Sequence, residues 1–162
     1  MEDLKDQIAR HHDNFYLTNS KNPRYSYKIL WYRHDFKSCK VDILLPGILD
    51  IPPIPVDKIV TMEDLPVMPF LPLFYLKVQG WWHHKQAFMK PHLQRKVPQD
   101  VRDIKELLRL VKQQRFVFEG NGVEWLPQWF FEKARMHVSE YSKVYPQTRR
   151  EWATLLGGNS RG

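Results

Sequence analysis

The sequence holds one cysteine, seven glycines and no long apolar run. A single thiol excludes an intramolecular disulfide framework, so the fold has to rest on packed side chains, and a reducing compartment suits it. Cys39, set in Ser-Cys-Lys-Val-Asp-Ile, reads as a small hydrophobe buried on a strand. The longest apolar stretch is interrupted by Pro66, Pro69 and Pro72, short of the ~20 apolar residues that a membrane-spanning helix requires. The opening Met-Glu-Asp-Leu-Lys-Asp-Gln lacks the apolar core of a secretory signal. These absences predict a soluble intracellular protein, cytoplasmic or nuclear. There is also no Gly-x-Ser-x-Gly and no phosphate-cradling Gly-x-x-x-x-Gly-Lys, which removes the hydrolases and P-loop enzymes that depend on them.

What is present is aromatic and basic. Six Trp, seven Tyr and nine Phe among 162 residues promise a well-filled core. A chain of this length buries roughly 70% of its unfolded surface as one domain. Lys and Arg number 25 against 18 Asp and Glu, a formal charge of +7, which suits a polyanionic partner or simply a basic surface.

Leu4, Ile8 and His11 recur at helical spacing, so residues 2–11 are predicted as a short amphipathic helix. Residues 15–18 read as a short strand, and 19–23 as a turn. The aromatic and branched segments 25–32 and 39–45 read as two strands of an antiparallel hairpin, the second stopped by Pro46-Gly47. Seven of the twelve prolines fall between Pro46 and Pro72, so this stretch should hold no long helix and should run extended over the sheet. Leu71, Phe74, Tyr75, Val78 and Trp82 then mark one face of a helix ending near His84. Residues 85–96 are basic and irregular. Pro98 opens a helix striped by Val101, Ile104, Leu107, Leu108 and Val111. A break at Gly120-Asn121-Gly122 precedes helices at about 125–142 and 148–156, with 157–162 a polar tail. Strands followed by helices define an α+β domain over 1–156, with helix plus strands to about residue 60 and a helical half over 65–156.

Three segments carry a resemblance. Lys40-Val41-Asp42-Ile43-Leu44-Leu45-Pro46-Gly47 resembles the third-carboxylate strand of nucleotidyltransferase-fold proteins. Leu73-Phe74-Tyr75-Leu76-Lys77-Val78-Gln79-Gly80-Trp81-Trp82, followed by Asp100-Val101-Arg102-Asp103-Ile104, resembles that family's lysine helix and its Asp-x-x-Asp-Ile helix. With the turn Ser20-Lys21-Asn22-Pro23-Arg24, the likeness over residues 1–110 is greatest to fungal nucleotidyltransferase-like proteins. The resemblance implies a small mixed or antiparallel sheet with a C-terminal helical half. It places Asp42 as a catalytic metal ligand and Lys77, Asp100 and Asp103 at the nucleotide. The implied cofactors are Mg²⁺ and a nucleoside triphosphate.

The family's Gly-Gly or Gly-Ser turn and its Asp-x-Asp strand have no counterpart here, and neither Asp3, Asp6 nor Asp13 replaces them. Two-metal chemistry requires several converging carboxylates about 4 Å from shared ions. One aspartate does not hold such a pair. The expectation is therefore a catalytically degenerate domain acting as a binding or regulatory protein. The alternatives are an active Mg²⁺-dependent enzyme completed by unrecognised acids or a partner chain, and a basic nucleic-acid-binding module. For the last, Arg24 and Lys28 beside Tyr25 and Tyr27, together with Lys85, Lys90, Arg95 and Lys96, supply the mixture of cations and rings that single strands use. An exposed sheet edge, left by the absent strand, implies a homodimer or another protein partner.

Each site residue also has an ordinary reading. Asp42 alternates with Val41 and Ile43 and fits the wet side of a strand. Lys77, in an apolar helix, needs water, a phosphate or a carboxylate such as Asp100 or Asp103. Those two aspartates suit the first turn of any helix. His83 and His84 are adjacent, hence about 100° apart on a helix, and make a poor zinc pair.

Overall fold

In the computed structural model, which describes residues 1–114 and 123–156, the chain is α+β. The expected break at 120–122 and the tail 157–162 lie outside the described residues. The chain divides into one unit, Met1–Leu45, and a second from Pro46 onward.

In the first unit, α1 spans Glu2–His11, with acids in its first turn and Arg10 and His11 in its last, the order that complements the helix dipole. Strands β1 (Phe15–Asn19), β2 (Lys28–His34) and β3 (Lys37–Val41) form an antiparallel sheet in the order β1-β2-β3. Leu30, at the centre of β2, is completely buried.

β2 begins at Lys28 rather than at Tyr25. The preceding turn is closed by its own side chains: Asn22 N–H donates to Ser20 Oγ at 3.2 Å and Arg24 N–H to Asn22 Oδ1 at 3.0 Å. Tyr25 and Tyr27 therefore precede the ladder, and both are exposed. β3 is also displaced, starting at Lys37 and ending before Asp42. Arg33 N–H bonds Asn14 O on the β1 side at 2.8 Å, so by alternation Lys28 turns its backbone groups toward β3. α1 has taken them: Lys28 N–H donates to Glu2 Oε2 at 2.9 Å, and Lys5 Nζ donates to Lys28 O at 2.8 Å. The ladder stops there. Cys39, expected inside, is exposed, because β3 is an outer strand beside the hairpin end.

The second unit opens on a strained turn. Gly47 has φ +86°, and Leu49 and Asp50 follow at +52° and +58°. Gly47 N–H bonds Ile51 O at 2.8 Å. A Cβ at Gly47 or at helical Gly80 would meet nothing within 4 Å, so only the backbone separates the two sites. Gly47→Ala should destabilise by about 1–2 kcal/mol, whereas Gly80→Ala should stabilise by about 0.4–1 kcal/mol. Urea denaturation monitored by circular dichroism reads both signs.

The proline-rich stretch contains a paired hairpin that was not expected. β4 (Val60–Met62) and β5 (Leu65–Val67) are joined by Glu63 and Asp64, both in the left-handed region. That is the backbone of a two-residue hairpin turn, and here it forms without the usual glycine. Pro66 is tolerated because, among the described residues, the sheet has two strands and β5 is an edge strand.

The helices are α2 (Phe70–Gln86), α3 (Pro91–Gln94), α4 (Val97–Gln114), α5 (Gln128–Val144) and α6 (Arg149–Leu155). Segment 85–96, expected to be irregular, thus contains a helical turn started by Pro91. α5 begins three residues later than expected, where Pro127 sets its N-cap. The core joins Leu71, Phe74, Val78 and Trp81 of α2 to Ile104 and Leu108 of α4, Phe130 and Tyr141 of α5, and Trp152 of α6. Trp81 rather than Trp82 is the fully buried indole. Among the described residues no helix is long and apolar enough to cross a membrane.

Candidate functional site

The charged cluster of the second unit follows from two helical stripes. Asp100, Ile104, Leu108 and Val111 recur at spacings of four, four and three, and all are buried on α4, so Asp100 stands at the head of an apolar face. Asp103 lies one turn on and half exposed. On α2, Lys77 and His84 are seven residues apart and share a face. Where the stripes meet, Lys77 Nζ lies 3.0 Å from Asp100 Oδ1 and 2.6 Å from Asp103 Oδ2. His84 Nδ1 lies 2.6 Å from Asp100 Oδ2.

The polar accounting is nearly complete. Asp103 Oδ1 accepts a further bond from Gln99 Nε2 at 2.6 Å, and Gln99 Oε1 accepts from Arg102 at 2.6 Å. With a carboxylate beside it, His84 Nδ1 is assigned as the protonated nitrogen. Burial pulls the Lys77 ammonium down, but the bonds to Asp103 and Asp100 outweigh it and hold the group above the ordinary lysine value. The Lys77 bond, and then the Gln99 bond, hold the Asp103 carboxyl below its usual range. Lys77 therefore reaches both carboxylates anticipated as its partners. His84 was missed as a member, although its spacing from Lys77 was a usable signal.

The other site residues are dispersed. Asp42 is 64% exposed, and its Oδ1 lies 2.6 Å from Lys40 Nζ. Among the described residues no three His, Cys, Asp or Glu gather in an arrangement that could hold a metal ion. Arg24 is an exposed turn residue. Lys28 Nζ pairs with Asp6 Oδ1 at 3.2 Å, so this cation belongs to the α1–β2 contact. Lys85 Nζ lies 5.3 Å from the centroid of the Trp81 ring. Lys90, Arg95 and Lys96 are exposed around α3 and make no ion pair among the described residues.

A second group holds the strained turn. Buried Gln79 donates from Nε2 to Leu49 O at 2.8 Å, and Lys133 Nζ bonds Asp50 Oδ1 at 2.5 Å. Beside them His137 is buried next to Trp82. Burial, and then the nearby His83, push the His137 imidazole below its ordinary value. These contacts tie residues 49–50 to α2 and α5, and nothing in them requires a ligand.

No family model, no curated protein and no solved structure matches this chain.

Proposed function

We propose that the chain is a nucleotidyltransferase-like domain that binds nucleotide without transferring it. The supporting observation is that the four positions which the resemblance assigns to the site are all engaged in ion pairs within the chain. Asp42 is paired with Lys40 on the surface, and Lys77 is shared between Asp100 and Asp103. With one lysine against two carboxylates, the Lys77 cluster offers little attraction to an incoming triphosphate. The cations Lys90, Arg95 and Lys96 around α3, exposed and unpaired among the described residues, are the phosphate contacts in this reading.

Calorimetric titration with ATP, with and without Mg²⁺, alongside an assay of pyrophosphate release, tests the reading. Expected is weak binding that does not require Mg²⁺, is lost when Lys90, Arg95 and Lys96 are all changed to Ala, and is unaffected by Asp42→Asn. Mg²⁺-dependent pyrophosphate release that disappears in Asp42→Asn would overturn it in favour of an active transferase. Absence of any heat at millimolar ATP would overturn the nucleotide reading altogether.

A further inference from the structure

The register of the first unit assembles a surface that no single segment of the sequence announces. Tyr16 pairs with Trp31, Thr18 with Ile29, Trp31 with Lys40 and Arg33 with Ser38. Paired residues share a face and alternate residues share a face, so Tyr16, Trp31, Arg33 and Lys40 project on the same side. The other side carries Leu17, Leu30 and Lys28. α1 reaches that side through Asp6, whose carboxylate pairs with Lys28 Nζ at 3.2 Å. Within this unit, no helix covers the Tyr16–Trp31 face.

This face has the chemistry of a stacking platform. The Tyr16 and Trp31 rings are within 13° of parallel, with centroids 6.5 Å apart, and both are only half buried. Trp31 Nε1 donates to Thr18 Oγ1 at 3.0 Å, which fixes the indole on the sheet. The Arg33 guanidinium lies 5.7 Å from the Tyr16 centroid. Cations exceed acids in the surrounding chain. Residues 12–45 hold Lys21, Arg24, Lys28, Arg33, Lys37 and Lys40 against Asp13, Asp35 and Asp42. On this face Lys40 is itself paired with Asp42, so Arg33 is the cation it offers. An antiparallel face with adjacent rings flanked by an exposed Arg complements unstacked bases joined by phosphates. A duplex keeps its base faces inside and offers such rings nothing to stack on.

We propose that the β1–β2–β3 face binds single-stranded nucleic acid, with bases on Tyr16 and Trp31 and a backbone phosphate on Arg33. This is independent of the ATP reading, which concerns cations around α3, so the two fail separately. The test uses the full chain with fluorescein-labelled 12-mers, oligo-U and oligo-dT, read by fluorescence anisotropy at several salt concentrations. A hairpin duplex of equal charge is the competitor.

The expected result is saturable binding of the single strands, with the duplex competing poorly. Trp31→Ala should weaken binding about tenfold, in line with the loss of one stacked base, whereas Trp31→Phe should retain most of it. Arg33→Glu, an exposed change that leaves the core intact, should weaken binding and flatten its salt dependence. That variant keeps the test decisive even if Trp31→Ala disturbs the sheet. No anisotropy change on saturating the protein with 12-mer, equal competition by the duplex, or binding indifferent to both Arg33→Glu and Trp31→Ala would each overturn the proposal.

Discussion

Asp100→Ala should destabilise the helical unit by about 3 kcal/mol, the lower end of the range for removing one partner of a buried ion pair. The residue is 4% exposed, and its two oxygens serve two different cationic or donor groups, Lys77 and His84. Removing the carboxylate leaves Lys77 with Asp103 alone and the His84 Nδ1–H without an acceptor. Lys77 is 31% exposed and recovers some hydration, which keeps the loss from reaching the upper end. A double-mutant cycle with Lys77→Met separates the pair from the general cost of truncation. If the ion pair is the cause, the two changes together should cost less than their sum by about 1–3 kcal/mol, measured by urea denaturation.

The pH dependence of that cluster has a definite sign. Asp103 titrates in the folded state below its ordinary 3.8, so its contribution is present above that value and is lost as pH falls through the lowered one. Lys77 titrates above its ordinary 10.5, so its contribution is present below that value and is lost as pH rises through the raised one. The stability difference between wild type and Lys77→Met should consequently be level between about pH 5 and 9 and shrink outside that window. A difference that grows on acidification below pH 4 would show that the lysine, not its carboxylate partners, governs the cluster.

Most of the helical half was legible because each stripe is local. Leu71, Phe74, Tyr75 and Val78 repeat at helical spacing, and Pro98 sits in the first turn of α4, so both helices can be read without knowing what they pack against. The strand ends were not legible. β3 stops where it does because Glu2 and Lys5 occupy the backbone of Lys28, a contact 23 to 26 residues away in sequence. The β4–β5 hairpin was hidden for a different reason: its turn residues, Glu63 and Asp64, are not those that announce a left-handed turn. At the candidate site, Lys77 with Asp100 and Asp103 could be read from the cost of an unpaired ammonium in an apolar helix. His84 could not be read from the His83-His84 pair, because only its distance from Lys77 along α2 identifies the ring that reaches Asp100. The Tyr16–Trp31 face required the register itself.

Trp81→Ala should cost about 3–5 kcal/mol, the range for emptying a buried Trp site, and lower the melting temperature of the helical unit by about 10–25 °C. The indole is 0% exposed and meets Tyr141 edge-on at 4.8 Å and Tyr145 at 6.0 Å, while Tyr141 in turn meets Trp152 at 6.0 Å. One side chain thus ties α2 to α5 and, through Tyr141, to α6. Its indole nitrogen, however, has no hydrogen-bond partner among the described residues. The nitrogen adds a desolvation cost, so the stabilisation resides in apolar area and ring contact. Trp81→Phe removes the unpaired donor and keeps a ring against Tyr141, and should cost far less, under about 1.5 kcal/mol. Thermal denaturation of the two variants separates the alternatives. A Phe substitution as damaging as Ala would mean that the full indole area, rather than a single six-membered ring against Tyr141, holds the three helices together.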